Sequence, residues 1–226
     1  MSDLHQSSDA HAHDHPHDHP HDHPHASDAP GLPEESLVLE RALRELLIEK
    51  GVFGADELRA AVEAMEARGE VLGARVVARA WTDPAYEALL LSRPMEAIAV
   101  FGLSMGVNEL CVVQNTRSVH NIVVCTLCSC YPRMILGIPP AWYKSRAYRA
   151  RTVREPRAVL AEFGLDLPHS VEVRVHDSTA DLRYLVLPKR PEGTDDWSEE
   201  ALVPLVSRDS LIGVAEARRP GAEDGL

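Results

Sequence analysis

From Pro33 onward the apolar residues recur at helical spacing. Leu39, Leu43, Leu46 and Leu47 fall on one face, Pro33, Glu34 and Glu35 make a helix opening, and Gly51 stands where a C-terminal glycine belongs. Leu58, Val62 and Met65 keep the spacing as far as Gly69 and predict a second helix. A third stretch, Arg75 to Trp81, leads into Thr82-Asp83-Pro84, a cap followed by a first-turn proline for a helix through Leu91. Pro94 ends that helix, and a short one runs to Phe101. Amphipathic helices of this kind cover either their own domain or a partner chain, and no catalytic cluster stands among them.

After Gly102 the period changes. Cys111-Val112-Val113 and Asn121-Ile122-Val123-Val124 are short β-branched runs, residues 171 to 175 alternate strictly, and Leu182 to Leu187 form an apolar strand ended by Pro188. Residues 155 to 163 and 198 to 207 read as helical, with Pro204 interrupting the second. The expected fold class is α+β, an N-terminal helical arm followed by a layered α/β domain. The expected division is a disordered His/Asp-rich tail over 1–32, the helical arm over 33–101, an α+β domain over 102–216 and a C-terminal tail over 217–226.

Composition narrows the function classes. The chain has 226 residues, 45% of them hydrophobic, and a net charge of −12 with His neutral, which suits a globular unit and not a disordered chain. No run approaches the ~18 apolar residues of a membrane span, and no basic residue precedes an apolar run near the start, so neither a transmembrane helix nor a secretory signal is expected. The cytoplasm is the expected location. An acidic balance argues against nucleic acid or an anionic membrane as partner, since both need a concentrated basic face. Residues 1 to 30 hold six Asp, no Lys or Arg, and nine of the 12 His, so half of the net charge lies in the tail. Imidazoles at that density take up divalent transition metals, although the same composition also suits a plain solubilising tail.

The chemistry concentrates at Val124-Cys125-Thr126-Leu127-Cys128-Ser129-Cys130-Tyr131-Pro132. Three of the four cysteines occupy six residues as C-x-x-C-x-C, directly after an apolar strand. A structural zinc site would want a fourth Cys or His on a second knuckle, and His120 and Cys111 lie on the strands leading in. A dithiol pair Cys125/Cys128 is a further reading, but such motifs open a helix and have no use for a third thiol. The spacing allows another solution. The backbone nitrogens of Ser129 and Cys130 lie between the sulfurs of Cys128 and Cys130, so one ion could take two sulfurs and two amides in a plane. Cys125 would then reach one axial side and leave the other open for water or substrate. Anionic amide and thiolate donors favour low-spin trivalent cobalt or iron over zinc.

VCTLCSCYP, with LGIPPAWYKS (136–145), REPRAVLAEFGL (154–165), LRYLVLPKRPEGTDDW (182–197) and RDSLIGVA (208–215), resembles the alpha subunit of nitrile hydratase and its sister, the gamma subunit of thiocyanate hydrolase. The resemblance covers nearly all of residues 36 to 215. It implies an ion ligated by the sulfurs of Cys125, Cys128 and Cys130 and by the amides of Ser129 and Cys130. It also implies that Cys128 is a sulfinic acid and Cys130 a sulfenic acid, with Cys125 a thiolate. C-T-L-C-S-C, with Thr126, resembles the cobalt type, so cobalt(III), one per chain, is implied ahead of iron(III). The implied reaction is hydration of a small nitrile to its amide, a lyase activity, with Cys130 and Ser129 in the catalytic set and the Cys130 sulfenate oxygen as nucleophile or base. Implied partners are a beta-type subunit in an alpha-beta heterodimer or heterotetramer and a cobalt-delivering activator protein.

Arg133 after Tyr131-Pro132 is more like the thiocyanate hydrolase version, which splits thiocyanate to carbonyl sulfide and ammonia. Outside the claw, Cys111 reads as a core thiol, His120 as a strand or interface residue and His176 as a surface one. Tyr131 and Pro132 are expected to shape the loop. Trp142, Tyr143, Tyr148 and the basic residues Arg146, Arg149, Arg151 and Arg154 are expected to form a helix with a partner-facing surface.

Overall fold

The structure, a computed structural model of the chain, describes residues 34–66, 69–128 and 130–221. The tail expected over 1–32 and the last five residues lie outside that range. Helix α1 (Glu34–Glu49) ends as its glycine predicts, with Gly51 at φ 65° and the amides of Gly51 and Val52 closing back on Ile48 and Leu47. α2 (Ala55–Glu66) follows. α1 buries no residue, and Leu39 and Leu43 stand 69% and 53% exposed.

The next three helices behave differently. α3 (Glu70–Thr82) buries Gly73, Ala74, Val76, Val77, Ala78 and Ala80. α4 (Pro84–Ser92) is capped by Asp83, whose carboxylate accepts from the amides of Ala85 and Tyr86. Pro94 is the first residue of α5 (Pro94–Ala99). Val76, Val77, Leu90 and Ile98 belong to the same hydrophobic core as the strands. α3 to α5 share the core of the region that follows, whereas α1 and the described part of α2 bury no residue.

Among the described residues, four strands form two parallel pairs. β1 (Glu109–Gln114) pairs with β4 (Leu182–Leu187), and β2 (Val119–Val124) pairs with β3 (Glu172–Asp177). Parallel pairing needs crossovers, and the one between β2 and β3 contains α6 (Arg133–Leu136), α7 (Ala141–Lys144), α8 (Arg146–Arg154) and α9 (Pro156–Glu162). α10 (Glu199–Leu202) and α11 (Arg208–Ile212) close the fold. Mixed helix and sheet is the fold class expected from the period change.

Two helical expectations need correction. Residues 198 to 207 divide into α10 and a 3₁₀ turn over Val203–Leu205, because Pro204 has no N–H for an α-helical bond. The run from Trp142 to Arg154 is two helices, broken at Ser145, which is extended at ψ 144° and whose hydroxyl caps α8 by accepting from the Tyr148 amide. Nor do its aromatic residues face outward. Tyr143 and Tyr148 are buried, Trp142 packs on both, and Arg151 is engaged by Glu155 and Glu162.

Candidate metal centre

β2 ends at Val124, whose register partner Asp177 ends β3, and the amide of Ser178 continues the ladder to Val124 O at 2.7 Å. The chain then leaves the sheet and folds back at once. Cys125 is buried, Cys130 half-buried and Cys128 exposed. Their sulfurs lie within 4.8 Å of one another, with Cys125 Sγ 3.3 Å from Cys128 Sγ and Cys128 Sγ 2.9 Å from Cys130 Sγ. Among the described residues this is the one cluster of three His, Cys, Asp or Glu side chains placed to share an ion. Ser129 lies outside the described residues, so its amide has no described position.

The entry to the loop is held on three sides. The Thr126 amide and hydroxyl both donate to Asp177, to Oδ1 at 2.9 Å and to Oδ2 at 2.5 Å. Arg149, half-buried on α8, donates to Thr126 O at 3.3 Å. The exit is held from beneath, where the hydroxyl of fully buried Tyr143 donates to Cys130 O at 2.8 Å and the Tyr131 ring packs edge-on against Tyr143. Tyr148 donates to Val123 O at 2.6 Å, one residue before β2 ends. Asp177, Arg149, Tyr143 and Tyr148 are the supports that sequence reasoning missed. Nothing in a strand-ending His-Asp pair or an Arg-rich helix marks which side chain reaches a loop 51 or 23 residues away in sequence.

Crowding gives this site its electrostatic character. Burial pushes the Cys130 thiol up to about 12, and the thiols of Cys128 and Cys125 push the same way, while the charge of Arg183 opposes them. Three sulfurs this close disfavour thiolates unless a cation sits among them, and a bound transition ion deprotonates its thiols outright. The donor set suits a soft-ligand transition ion. It does not suit the other two readings of the motif. Among the described residues no fourth sulfur or imidazole joins the cluster, as a closed zinc knuckle needs, and no helix opens at Cys125, as a dithiol redox motif needs.

The remaining residues sort by contact. Cys111 is half-buried on β1, where burial raises its thiol. His120 is buried, with Nε2 donating to Gly213 O at 2.7 Å and Nδ1 accepting from Asn115 at 3.3 Å. His176, expected at the surface, is half-buried and donates from Nε2 to Asn121 Oδ1 at 2.8 Å. A cleft of about 1010 Å3, lined by Trp81, Arg117, Lys189 and Arg190 among others, opens at the carboxyl ends of β1 and β4 and contains none of the claw cysteines.

Comparison with known proteins decides the family. The family model described as nitrile hydratase, alpha chain, matches residues 34–215. The chain belongs to the nitrile hydratase alpha-chain family. It is 49% identical over 190 residues to a nitrile hydratase subunit alpha of Rhodococcus sp, covering 83% of this chain and 96% of that one. It is 48% identical over 193 residues to the low-molecular weight cobalt-containing nitrile hydratase subunit alpha of Rhodococcus rhodochrous, covering 84% and 93%. Thiocyanate hydrolase subunit gamma of Thiobacillus thioparus is 47% identical over 196 residues, covering 81% and 80%. Among solved structures, a recombinant thiocyanate hydrolase comprising partially-modified cobalt centers superposes with a TM-score of 0.77 at 43% identity, covering 86% of this chain and 96% of that one. An Fe-type nitrile hydratase double mutant from Comamonas testosteroni Ni1 gives the same score at 42% identity, with 86% and 97% covered. Within this nitrile hydratase family chain, the matched span takes in α1 through α11 and leaves out the His/Asp-rich tail.

Proposed function

We propose that this chain is the alpha subunit of a cobalt nitrile hydratase, adding water to a nitrile to give the amide. The observation that carries this reading is the convergence of the three C-T-L-C-S-C sulfurs within 4.8 Å in a chain of this family. Cys125, Cys128 and Cys130 would hold the ion through sulfur, and Ser129 and Cys130 would add their amide nitrogens. When bound, the ion supplies Lewis acidity.

The chain's own residues supply the rest. Asp177 and Arg149 fix Thr126, and so the direction in which Cys125 presents its sulfur. Tyr143 fixes the carbonyl of Cys130 by donating its hydroxyl hydrogen bond to it. With Cys128 as sulfinic and Cys130 as sulfenic acid, the Cys130 oxygen acts as nucleophile toward the nitrile or as base toward water. Oxidised sulfurs call for cationic hydrogen-bond donors, and a beta-type subunit would bring them over the exposed Cys128. α1 and α2, with an apolar groove of about 430 Å3 between Leu39, Leu43, Phe53 and Leu58, are the arm that grips that subunit. A dedicated activator protein would deliver the cobalt.

Arg133 favours one second reading. It is exposed as the first residue of α6, three positions after Cys130, where a cation suits an anionic substrate such as thiocyanate. The deciding experiment co-expresses the chain with its partner subunit and cobalt, then follows amide formation from a small aliphatic nitrile beside thiocyanate loss. Amide production is expected, together with cobalt near one per chain, two added oxygens on Cys128 and one on Cys130. Thiocyanate loss without amide would move the chain to the sister activity, and zinc on reduced thiols would overturn both.

A further inference from the structure

The cleft of about 1010 Å3 has no part in the function proposed above, because it lies at the far end of β4 from the claw. The amide of Ser178 bonds to Val124 O at the entry to the claw, and the amide of Thr179 bonds to Leu182 O, so β4 starts beside the claw. Its six residues then span about 20 Å before Pro188 reaches the cleft. There the paired strands part company. β1 turns at Thr116, whose amide bonds to Val119 O, and runs into β2, while the chain after β4 goes on to α10, whose Leu202 packs with Ala78 of α3. In parallel α/β sheets, a crevice between chains that diverge at the carboxyl ends of adjacent strands is where ligands bind.

The walls of this crevice are held in place by the chain itself. Arg190 donates to Trp81 O at 2.7 Å, to Asp195 O at 3.0 Å, to Thr194 Oγ1 at 3.2 Å and to Thr194 O, so neutral acceptors fix its guanidinium and no described carboxylate balances its charge. Trp81 spends its indole N–H on Pro188 O at 2.9 Å, and the rest of the ring is hydrocarbon, continued by Pro188 and Pro191. Two lining acids are engaged, Glu216 by Lys189 at 2.8 Å and Glu87 by the Gln114 amide. Arg117 and Arg219 line the same cleft, stand exposed and form no ion pair among the described residues. Four basic side chains therefore face three acidic ones, a local positive excess in a chain of net charge −12.

The geometry points to a binding site in this cleft for a small organic anion, its phosphate or carboxylate held by Arg117 and Arg219 and its apolar body against Trp81, Pro188 and Pro191. Guanidinium forks match both head groups in bidentate fashion, which an ammonium cannot do. The fixed charge of Arg190 favours an anion without having to be ordered when one arrives. The volume stands at the upper end of the range of about 300–1,000 Å3 that small-molecule sites occupy.

The site is tested by calorimetric titration of the chain purified with its partner subunit, with phenyl phosphate and benzoate as probes beside inorganic phosphate and benzyl alcohol. Each aromatic anion should bind at one per chain and at least about ten-fold more tightly than inorganic phosphate or benzyl alcohol, since neither of these offers both halves. Whichever anion binds more tightly identifies the preferred head group. Arg117→Gln with Arg219→Gln should weaken both anions by at least about ten-fold at an unchanged melting temperature. Arg154→Gln, which removes an exposed charge from α8, should leave both affinities as they were.

Absence of saturable binding, or affinity that survives the double variant, would overturn the site. Inorganic phosphate bound as tightly as phenyl phosphate would overturn the organic class of ligand. Binding by the free chain that disappears in the complex would overturn the site too, and assign the cleft to the subunit interface. Every readout is an affinity and none is a turnover, so failure here is distinguishable from failure of the claw reading.

Discussion

Asp177 accepts hydrogen bonds from both the amide and the hydroxyl of Thr126, one on each carboxylate oxygen, and so ties the end of β3 to the first residue of the claw loop after Cys125. Both bonds are to a charged acceptor, which makes them stronger than neutral ones. Asp177→Ala should lower stability by about 1–3 kcal/mol and cobalt per chain with it. Asp177→Asn should fall between, because its amide oxygen replaces only one carboxylate acceptor. A double-mutant cycle with Thr126→Val should show a coupling of at least about 0.5 kcal/mol. Additive losses would mean that the pair does not act together.

Tyr143 holds the other end of the loop from a site with no solvent access. Tyr143→Phe keeps the ring contact with Tyr131 and removes only the hydroxyl, leaving Cys130 O without that donor at a cost of about 1–2 kcal/mol. The cobalt charge-transfer absorption should shift, since the carbonyl belongs to the residue that supplies a sulfur ligand. An unchanged spectrum with a lowered melting temperature would reduce Tyr143 to a packing residue.

Two glycines should respond very differently to an added methyl. At Gly73, in α3, a Cβ would meet Leu136 Cδ2 at 2.8 Å and Leu211 Cδ1 at 2.9 Å, both ends of flexible side chains. Overpacking of about 1–3 kcal/mol is partly offset by about 1 kcal/mol of helix propensity, so Gly73→Ala should still fold. At Gly213, with φ 90°, a Cβ would stand 2.0 Å from the Asn121 carbonyl oxygen, which belongs to β2 and has no rotamer to change. Gly213→Ala should yield little soluble chain. Comparison of the two yields and thermal midpoints checks the order.

Acid should weaken the fold through two histidines. Burial pushes the pKa of His120 and His176 below the ordinary value, and the charge of Arg174 adds to the effect at His176. The unfolded chain therefore takes up protons first as pH falls below about 6.5, and stability declines from there until the folded-state values are reached. Thermal midpoints from pH 7.5 to 5 should drop, and His120→Gln with His176→Gln should flatten that drop while keeping an N–H donor near each Nε2 position. An equally steep decline in the double variant would assign it to other groups.

Local pattern settles local matters, and here it settled many. The cap at Asp83, the stop at Gly51, the strand ending at Pro188 and the C-x-x-C-x-C spacing are each fixed by residues within a few positions of one another, so they could be read along the chain. The claw cysteines and the family signature around them belong to the same class. Helix continuity across Ser145 was misread because an aromatic, Arg-rich run carries helical signals on both sides of a capping serine. Tertiary structure alone decided that β2 pairs with β3, which brings Asp177 to Thr126, and that α7 and α8 turn Tyr143 and Tyr148 inward beneath the loop. It also decided that α3 to α5 lie within the core while α1 stays outside it. Those relationships join residues far apart in sequence, and a hydrophobic period records only that a face must be covered, not what covers it.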